Sequence, residues 1–398
     1  MKTASSIFLC GITALVWPLS ANAQWTRHTI DPVDESLGKQ GADGVRLGDL
    51  NRDGLLDLVT GWEEGSAIRV CLNPGPNGAS KPWPAITVGE AEDTEDAVFA
   101  DLDGDGMLEV ISSSEGSTKT VFIHWAPAKD QITESGAWTQ EPIPDTVMSQ
   151  KWMYCLPIDV DRDSDIDLIL GSKDQGASLT WLENPGHDFA RELTSWKSHR
   201  LKDVSWIMTL ALIENGDERA LVFSDRKGEA SGIYLLPLVN SAPWFGKPIL
   251  IGASGEEVMF LDLAHLDDDE HLDLVAAIRP HQISVFYQPA SLFQPWVDSS
   301  ELDPFSQELF GTAKSVKVGD LSGDQIPDFA ISCELASGAK NGVLMSNVFS
   351  EFQSISGPEG IKFDRIELLD LDADGDLDII TCEERKGLGV IWYENPLH

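Results

Sequence analysis

An all-β fold is predicted for this chain, in the form of a seven-bladed β-propeller closed by its N-terminal strand. Three observations predict it. An acidic motif returns about every 50 residues, a second landmark keeps step with it, and the piece missing from the last repeat lies at the other end of the chain.

The motif is clearest as Asp49-Leu-Asn51-Arg-Asp53-Gly54-Leu55-Leu-Asp57. Fuller or weaker copies start at 101, 159, 265, 320 and 370, and a copy without its acids starts at 211, where Ile213, Asn215 and Arg219 stand in their places. A fixed period of this length marks a propeller or a solenoid. About 25 residues after each start a strand end follows, often Asn-Pro, as at Asn73-Pro74, Asn184-Pro185 and Asn395-Pro396. The acid-free copy keeps that spacing, so it is a true repeat. A Trp then opens the next short segment: Trp83, Trp138, Trp196, Trp244 and Trp296. Each unit reads as four short strands rich in Val, Ile, Leu and Trp, bounded by Gly, Pro and Asn. The seventh repeat lacks its final segment, while Trp25 to Ile30 reads like Trp83 to Val88. A ring explains the split; a linear solenoid would need caps instead.

The first 23 residues are expected to be a signal peptide, and 24–398 one propeller domain. Lys2 precedes an apolar run from Ile7 to Trp17, and Ala21-Asn22-Ala23 is an A-x-A cleavage signal. That run is short of the roughly 20 residues of a membrane span. The expected location is secreted or periplasmic. Cys71, Cys155, Cys333 and Cys382 show no CxxC spacing and are expected as buried free thiols rather than metal ligands.

Asp and Glu number 66 against 28 Lys and Arg, for a net charge of −38. Such a chain is repelled by nucleic-acid phosphates and by anionic lipid; it suits cations. Acids at positions 1, 3 and 5, Gly at 6 and an acid at 9 can form an oxygen cage, with the backbone carbonyl at 7 completing six to eight oxygens. That coordination favours Ca²⁺ over Mg²⁺. The expected ligands are Asp49, Asn51, Asp53, Leu55 and Asp57; Asp101, Asp103, Asp105, Met107 and Glu109; Asp159, Asp161, Asp163, Asp165 and Asp167; Asp320, Ser322, Asp324, Ile326 and Asp328; and Asp370, Asp372, Asp374, Asp376 and Asp378. Ser164 and Gln325 replace the glycine in two of these loops. The His265 loop has Glu270 there, and the fourth repeat is expected to bind nothing.

These Asp loops resemble those of the FG-GAP/VCBS repeat proteins, over nearly the whole mature chain. The Phe-Gly and Gly-Ala-Pro words of FG-GAP are poorly kept. The segments Trp181 to Gly186, Trp392 to Pro396, Trp206-Ile-Met and Ser224 to Gly228 are similar to a bacterial exported VCBS branch. The resemblance implies an integrin-like propeller with Ca²⁺ loops on one face, partners on the other, and no settled activity.

On that other face, the turn after each second strand falls at Glu63, Glu115, Lys173, Asp225, Arg279, Glu334 and Glu384. Lys173, Arg226, Lys227, Arg279, Arg385 and Lys386 thus crowd one ring of turns, with His281 and Trp206 nearby. The ring reads either as an anion-binding channel mouth with a positive local field, suited to an acidic sugar, or as surface ion pairs. Catalytic signatures such as G-x-S-x-G, H-E-x-x-H and a P-loop are absent. The leading expectation is a binding module for a protein or glycan, an anionic polysaccharide among the candidates. The alternative is a polysaccharide-active enzyme, most plausibly a lyase on an acidic glycan.

Overall fold

The computed structural model describes residues 24–299, 304–347 and 352–397. The expected signal peptide lies outside them. Seven four-stranded antiparallel sheets form the blades of a propeller. The first blade shows the pattern: Ala42–Gly48, Asp57–Trp62, Ala67–Cys71 and Ala85–Glu90, each paired with the next. First strands contact the first strands of both neighbouring blades, all the way round to the seventh against the first, which closes the ring and makes them the inner wall. Second strands such as Asp57–Trp62, Glu109–Ser114 and Asp378–Glu383 are buried along their whole length. The fourth strand of the third blade, Lys197–Asp203, is mostly exposed, as an outer edge should be.

The last blade is closed from the N-terminus. Its order is Thr26–Asp31, Gly389–Glu394, Asp378–Glu383, Glu367–Leu369. His28 pairs with Trp392 across the ladder, and their rings stack at 4.5 Å. The closing strand is also fastened to the first blade. Asp31 accepts from Lys39 Nζ at 3.0 Å and from Arg69 Nε at 3.0 Å, all three side chains buried. Trp392 Nε1 donates to the Ala79 carbonyl at 3.1 Å, and Trp83 N to the Ile30 carbonyl at 2.9 Å.

The sequence landmarks have physical roles. Trp83, Trp138, Trp196 and Trp296 are buried between blades, and each indole N–H donates to a carbonyl four to six residues upstream. Large flat side chains fill the wedge between twisted sheets while their one polar atom stays paired. All four described cysteines are buried free thiols, and burial pushes each pKa up. No helix among the described residues is long and apolar enough to cross a membrane.

Two outcomes test this account. Asp31→Ala should cost about 3–5 kcal/mol in urea unfolding, because it strands two buried cations; a loss below 1 kcal/mol would place closure elsewhere. His124 is fully buried, its Nε2 in a 2.9 Å hydrogen bond with Ser112 Oγ, and burial lowers its pKa to about 3. Its folded pKa lies below the unfolded value. Its contribution is therefore complete above pH 6.5 and is lost as pH falls toward 3. The acid limb of the stability curve over that window should flatten in His124→Gln.

Candidate functional site

Two faces carry chemistry: the ring of acidic loops and the opposite mouth of the central channel. Each acidic loop joins the first strand of a blade to the second. In the first loop, Asp49 accepts from the backbone N–H groups of Asp53 and Gly54 at 3.0 and 3.1 Å, and Asp53 accepts from Leu55 N at 2.9 Å. The sixth and seventh loops repeat the first contact pair through Asp320 and Asp370. These bonds wind the loop tightly enough to bring alternate carboxylates together.

The backbone is left-handed at the fourth and sixth positions: Arg52 and Gly54, Gly104 and Gly106, Arg162 and Ser164, Gly323 and Gln325, Ala373 and Gly375. Ser164 and Gln325 therefore hold the conformation that glycine adopts freely. The fifth loop differs. Neither Asp268 nor Glu270 has positive φ, and His265 Nδ1 bonds to the His271 carbonyl at 2.8 Å. In the fourth blade the loop is gone: Ile207–Asn215 and Glu218–Asp225 meet at a two-residue hairpin turn, Gly216-Asp217. Arg219 reaches from that blade to the Asp159 carbonyl at 2.9 Å.

The ninth-position acid also clamps the backbone. Asp57 is buried and accepts from Leu50 N at 3.0 Å, Asn51 N at 3.3 Å and Asn73 N at 2.9 Å. Asp167 and Asp378 do the same through Val160 and Asn184, and through Leu371 and Asn395. The Asn of Asn-Pro is thus the clamp's partner. Its side chain also crosses to the preceding blade, Asn184 Nδ2 donating to the Leu102 carbonyl and Asn395 Nδ2 to that of Leu321, both at 2.9 Å. Burial raises these carboxyls, Asp57 to about 6, Asp167 and Asp378 to about 7 and Glu109 to about 8, against the pull of the N–H donors.

Carboxylate oxygens of Asp101, Asp103 and Glu109 lie within 4.8 Å of one another, as do those of Asp159, Asp161 and Asp167, and of Asp370, Asp372 and Asp374. Asp101 Oδ1, Asp161 Oδ1 and Asp372 Oδ1 are buried without a hydrogen-bond partner. Two further acids are drawn aside, Asp103 toward Arg191 at 2.7 Å and Asp165 toward His187 at 2.9 Å.

At the opposite mouth a cavity of about 420 Å³ is lined by the turns expected there, Glu63, Glu115, Lys173, Arg226, Glu334 and Arg385 among them. Four of the six expected cations are paired with carboxylates. Lys173 Nζ binds Glu95 at 3.0 Å and also Glu115; Arg226 and Arg279 share Glu257 at 2.7 and 2.9 Å; Arg279 also meets Glu334. Arg385 pairs with Glu384 at 3.0 Å and faces Glu64 at 3.6 Å. The mouth is a mosaic of both signs rather than a positive ring. Burial opposes charge on both Glu115 and Lys173; crowding by Glu95 helps lift the Glu115 carboxyl to about 7, while the two glutamates raise Lys173. Trp206 stands in the cavity wall with Lys173, Arg226 and Lys227 over its ring at 4.5, 4.6 and 4.2 Å. His281 is buried against the Phe305 ring and is not among the lining residues, since the turn after Arg279 carries it under the surface.

Sequence reading missed the innermost residues of the mouth. The first strands are bulged near the sixth residue before each loop. The residues at or beside the bulges are Asp43, Glu95, Met153, Met208, Met259 and Lys314, and Asp364 takes the equivalent place in the last blade. Bulges re-aim side chains. Glu95, Met153, Met208 and Lys314 line the cavity, and Lys314 binds Asp364 at 3.0 Å. Charged residues thus come from four adjacent blades and methionines from the other three. A fixed offset of six residues before the Asp loop was the signal that could have found all of them but Met208, whose blade has lost its loop.

Residues 49–112, from the first loop to the second strand of the second blade, match the family model described as FG-GAP-like repeat. A search of the curated proteins returned no match. The repeat match and the seven-bladed ring together support an FG-GAP-repeat propeller, a fold consistent with a binding module.

The clamp separates from metal binding by mutation. In excess chelator, Asp167→Ala should lose about 2–4 kcal/mol, since it leaves buried N–H groups unpaired, while exposed Asp163→Ala should lose under about 1 kcal/mol. Equal losses in urea titrations would refute the clamp.

Proposed function

We propose that the protein is an exported, calcium-stabilised propeller that binds a glycan at the channel mouth. The observation that carries the reading is the mouth cavity itself, which sets one large aromatic ring among paired carboxylates and cations drawn from several blades. A cavity of about 420 Å³ suits the end of a sugar chain better than a protein surface. The Trp206 ring holds Lys173, Arg226 and Lys227 in place, and these cations with their paired carboxylates offer donors and acceptors to hydroxyl groups. Methionines on one side and charges on the other match the two-sided character of a pyranose ring.

Calcium fits the loops on their own chemistry. The donors are all oxygen, the choice of a hard cation, and the partnerless oxygens of Asp101, Asp161 and Asp372 are what such an ion would engage. Bound calcium would neutralise crowded carboxylates. The chain's own part is to hold the loops wound through Asp49, Asp320 and Asp370 and to bring a ninth-position carboxylate oxygen to the cluster, as Glu109 and Asp167 do.

Calcium removal should lower the melting temperature, because a ligand bound only by the native state stabilises it by mass action. An unchanged melting temperature after full chelation would end the calcium reading. Trp206→Ala should weaken oligosaccharide binding at least tenfold by calorimetry while the calcium-dependent melting shift stays as in the parent. Equal binding by both proteins would remove the mouth as the site. One observation favours a second reading as a lyase: Glu115, titrating near neutrality beside Lys173, has the character of a general acid or base. Absorbance from new double bonds in the same incubations would move the mouth from binding to cleavage.

A further inference from the structure

In the second acidic loop a guanidinium already sits on one of the clustered acids. Arg191, from the segment that follows Asn184-Pro185 in the third blade, places Nε 2.7 Å from Asp103 Oδ2. Asp105 N donates to Asp103 Oδ1 at 3.3 Å, so both oxygens of this third-position acid are engaged. Asp103 belongs to the cluster with Asp101 and Glu109. Asp161 and Asp372 hold the same position in the third and seventh loops, and among the described residues neither pairs with a lysine or arginine.

Several contacts hold Arg191 in this place. Its neighbour Ala190 is fully buried and accepts from Trp196 Nε1 at 2.8 Å, which fixes the backbone. Its guanidinium lies over the Trp125 ring at 4.6 Å, an attraction that adds to the ion pair. The turn before it is pinned by His187, whose Nε2 meets Asp165 at 2.9 Å and whose ring lies against Gly104 of the second loop. The Asp103 side chain is only 10% exposed, so the pair is shielded on one side, unlike an ordinary surface pair. A second guanidinium, that of Arg52 in the first loop, packs on Gly106 of the same second loop. Gly106 has φ 83 and no side chain to keep it away.

We propose that Arg191 is a tethered cation that competes with calcium for the second loop, so that this loop fills at higher free calcium than the seventh. For Asp103 to take a metal ion it must release the guanidinium, which Trp125 keeps close by. The positive charge of Arg52 beside the loop opposes a divalent ion as well. The proposal rests on the calcium reading and adds to it loops of graded affinity, with the second answering only to the higher concentrations.

The test uses the intact protein and metal alone. Crystals soaked at stepped MnCl₂ concentrations report each loop separately by the height of its anomalous peak. In the parent the second-loop peak should rise at higher concentration than the seventh-loop peak. In Arg191→Gln it should move to about tenfold lower concentration, the effect of removing one unit charge at contact distance from a divalent ion in a water-like medium. The seventh-loop peak should not move. Arg191→Lys, which keeps the charge, should stay closer to the parent than to Arg191→Gln. In solution, calorimetry with calcium should show one site tightened by the same factor in Arg191→Gln, and no such gain when Asp101→Asn is added. Equal filling of the two loops in the parent, or a second-loop peak unmoved by Arg191→Gln, would overturn the proposal and leave the calcium reading standing. Absence of metal from every loop would end both. Should Arg191→Gln not fold, the order of filling in the parent decides.

Discussion

The fold hangs on a buried carboxylate at the ninth position of the acidic loops, clearest at Asp57, Asp167, Asp273 and Asp378. It accepts backbone N–H groups from the start of its own loop and from the end of the third strand, sixteen or so residues on. A carboxyl in that place satisfies donors that no strand can reach, and leaving them unpaired in the interior would be costly. In the third and seventh blades the Asn that donates to it turns its amide to the neighbouring blade. Blade, loop and neighbour are thereby joined at one point, and the repetition of that point sets the geometry of both faces.

The two faces answer different demands. Loop acids are crowded, short and partly exposed, held apart from each other by backbone donors and a few side chains such as Arg191 and His187. The mouth is buried more deeply, and several of its acids share their lysine and arginine partners. Burying a lone charge is costly, whereas a pair with further hydrogen bonds can be held. A chain of net charge −38 therefore concentrates its scarce cations where carboxylates are least hydrated.

Most of the architecture was legible because the Asp loop is a rigid-spacing signal and because the degenerate repeat kept its strand-end landmark. The split of the last repeat was legible through Trp25 to Ile30 alone, and the ladder from Thr26 to Glu394 bears it out. The clamp was hidden: a ninth-position acid has the same letter whether it faces a cation or a backbone amide. The charge mosaic was hidden because Glu95 and Glu257 precede the turns and lie outside the residues read around the ring. Asp43, Met153 and Lys314 went unread for another reason. They share a place in the wall but no side-chain chemistry, so no recurring residue type draws the eye to their common offset from the loop.

The closing strand has a kinetic consequence. His28 and Glu394 bond across 366 residues of sequence, close to the longest separation the chain allows. Closing so long a loop costs entropy that no partial ring recovers, and non-local strand pairing of this kind is slow. Until the last blade exists, its partner strand has nothing to pair with and presents an open edge. The assembling protein is therefore most exposed to misassociation at the moment before its two ends meet.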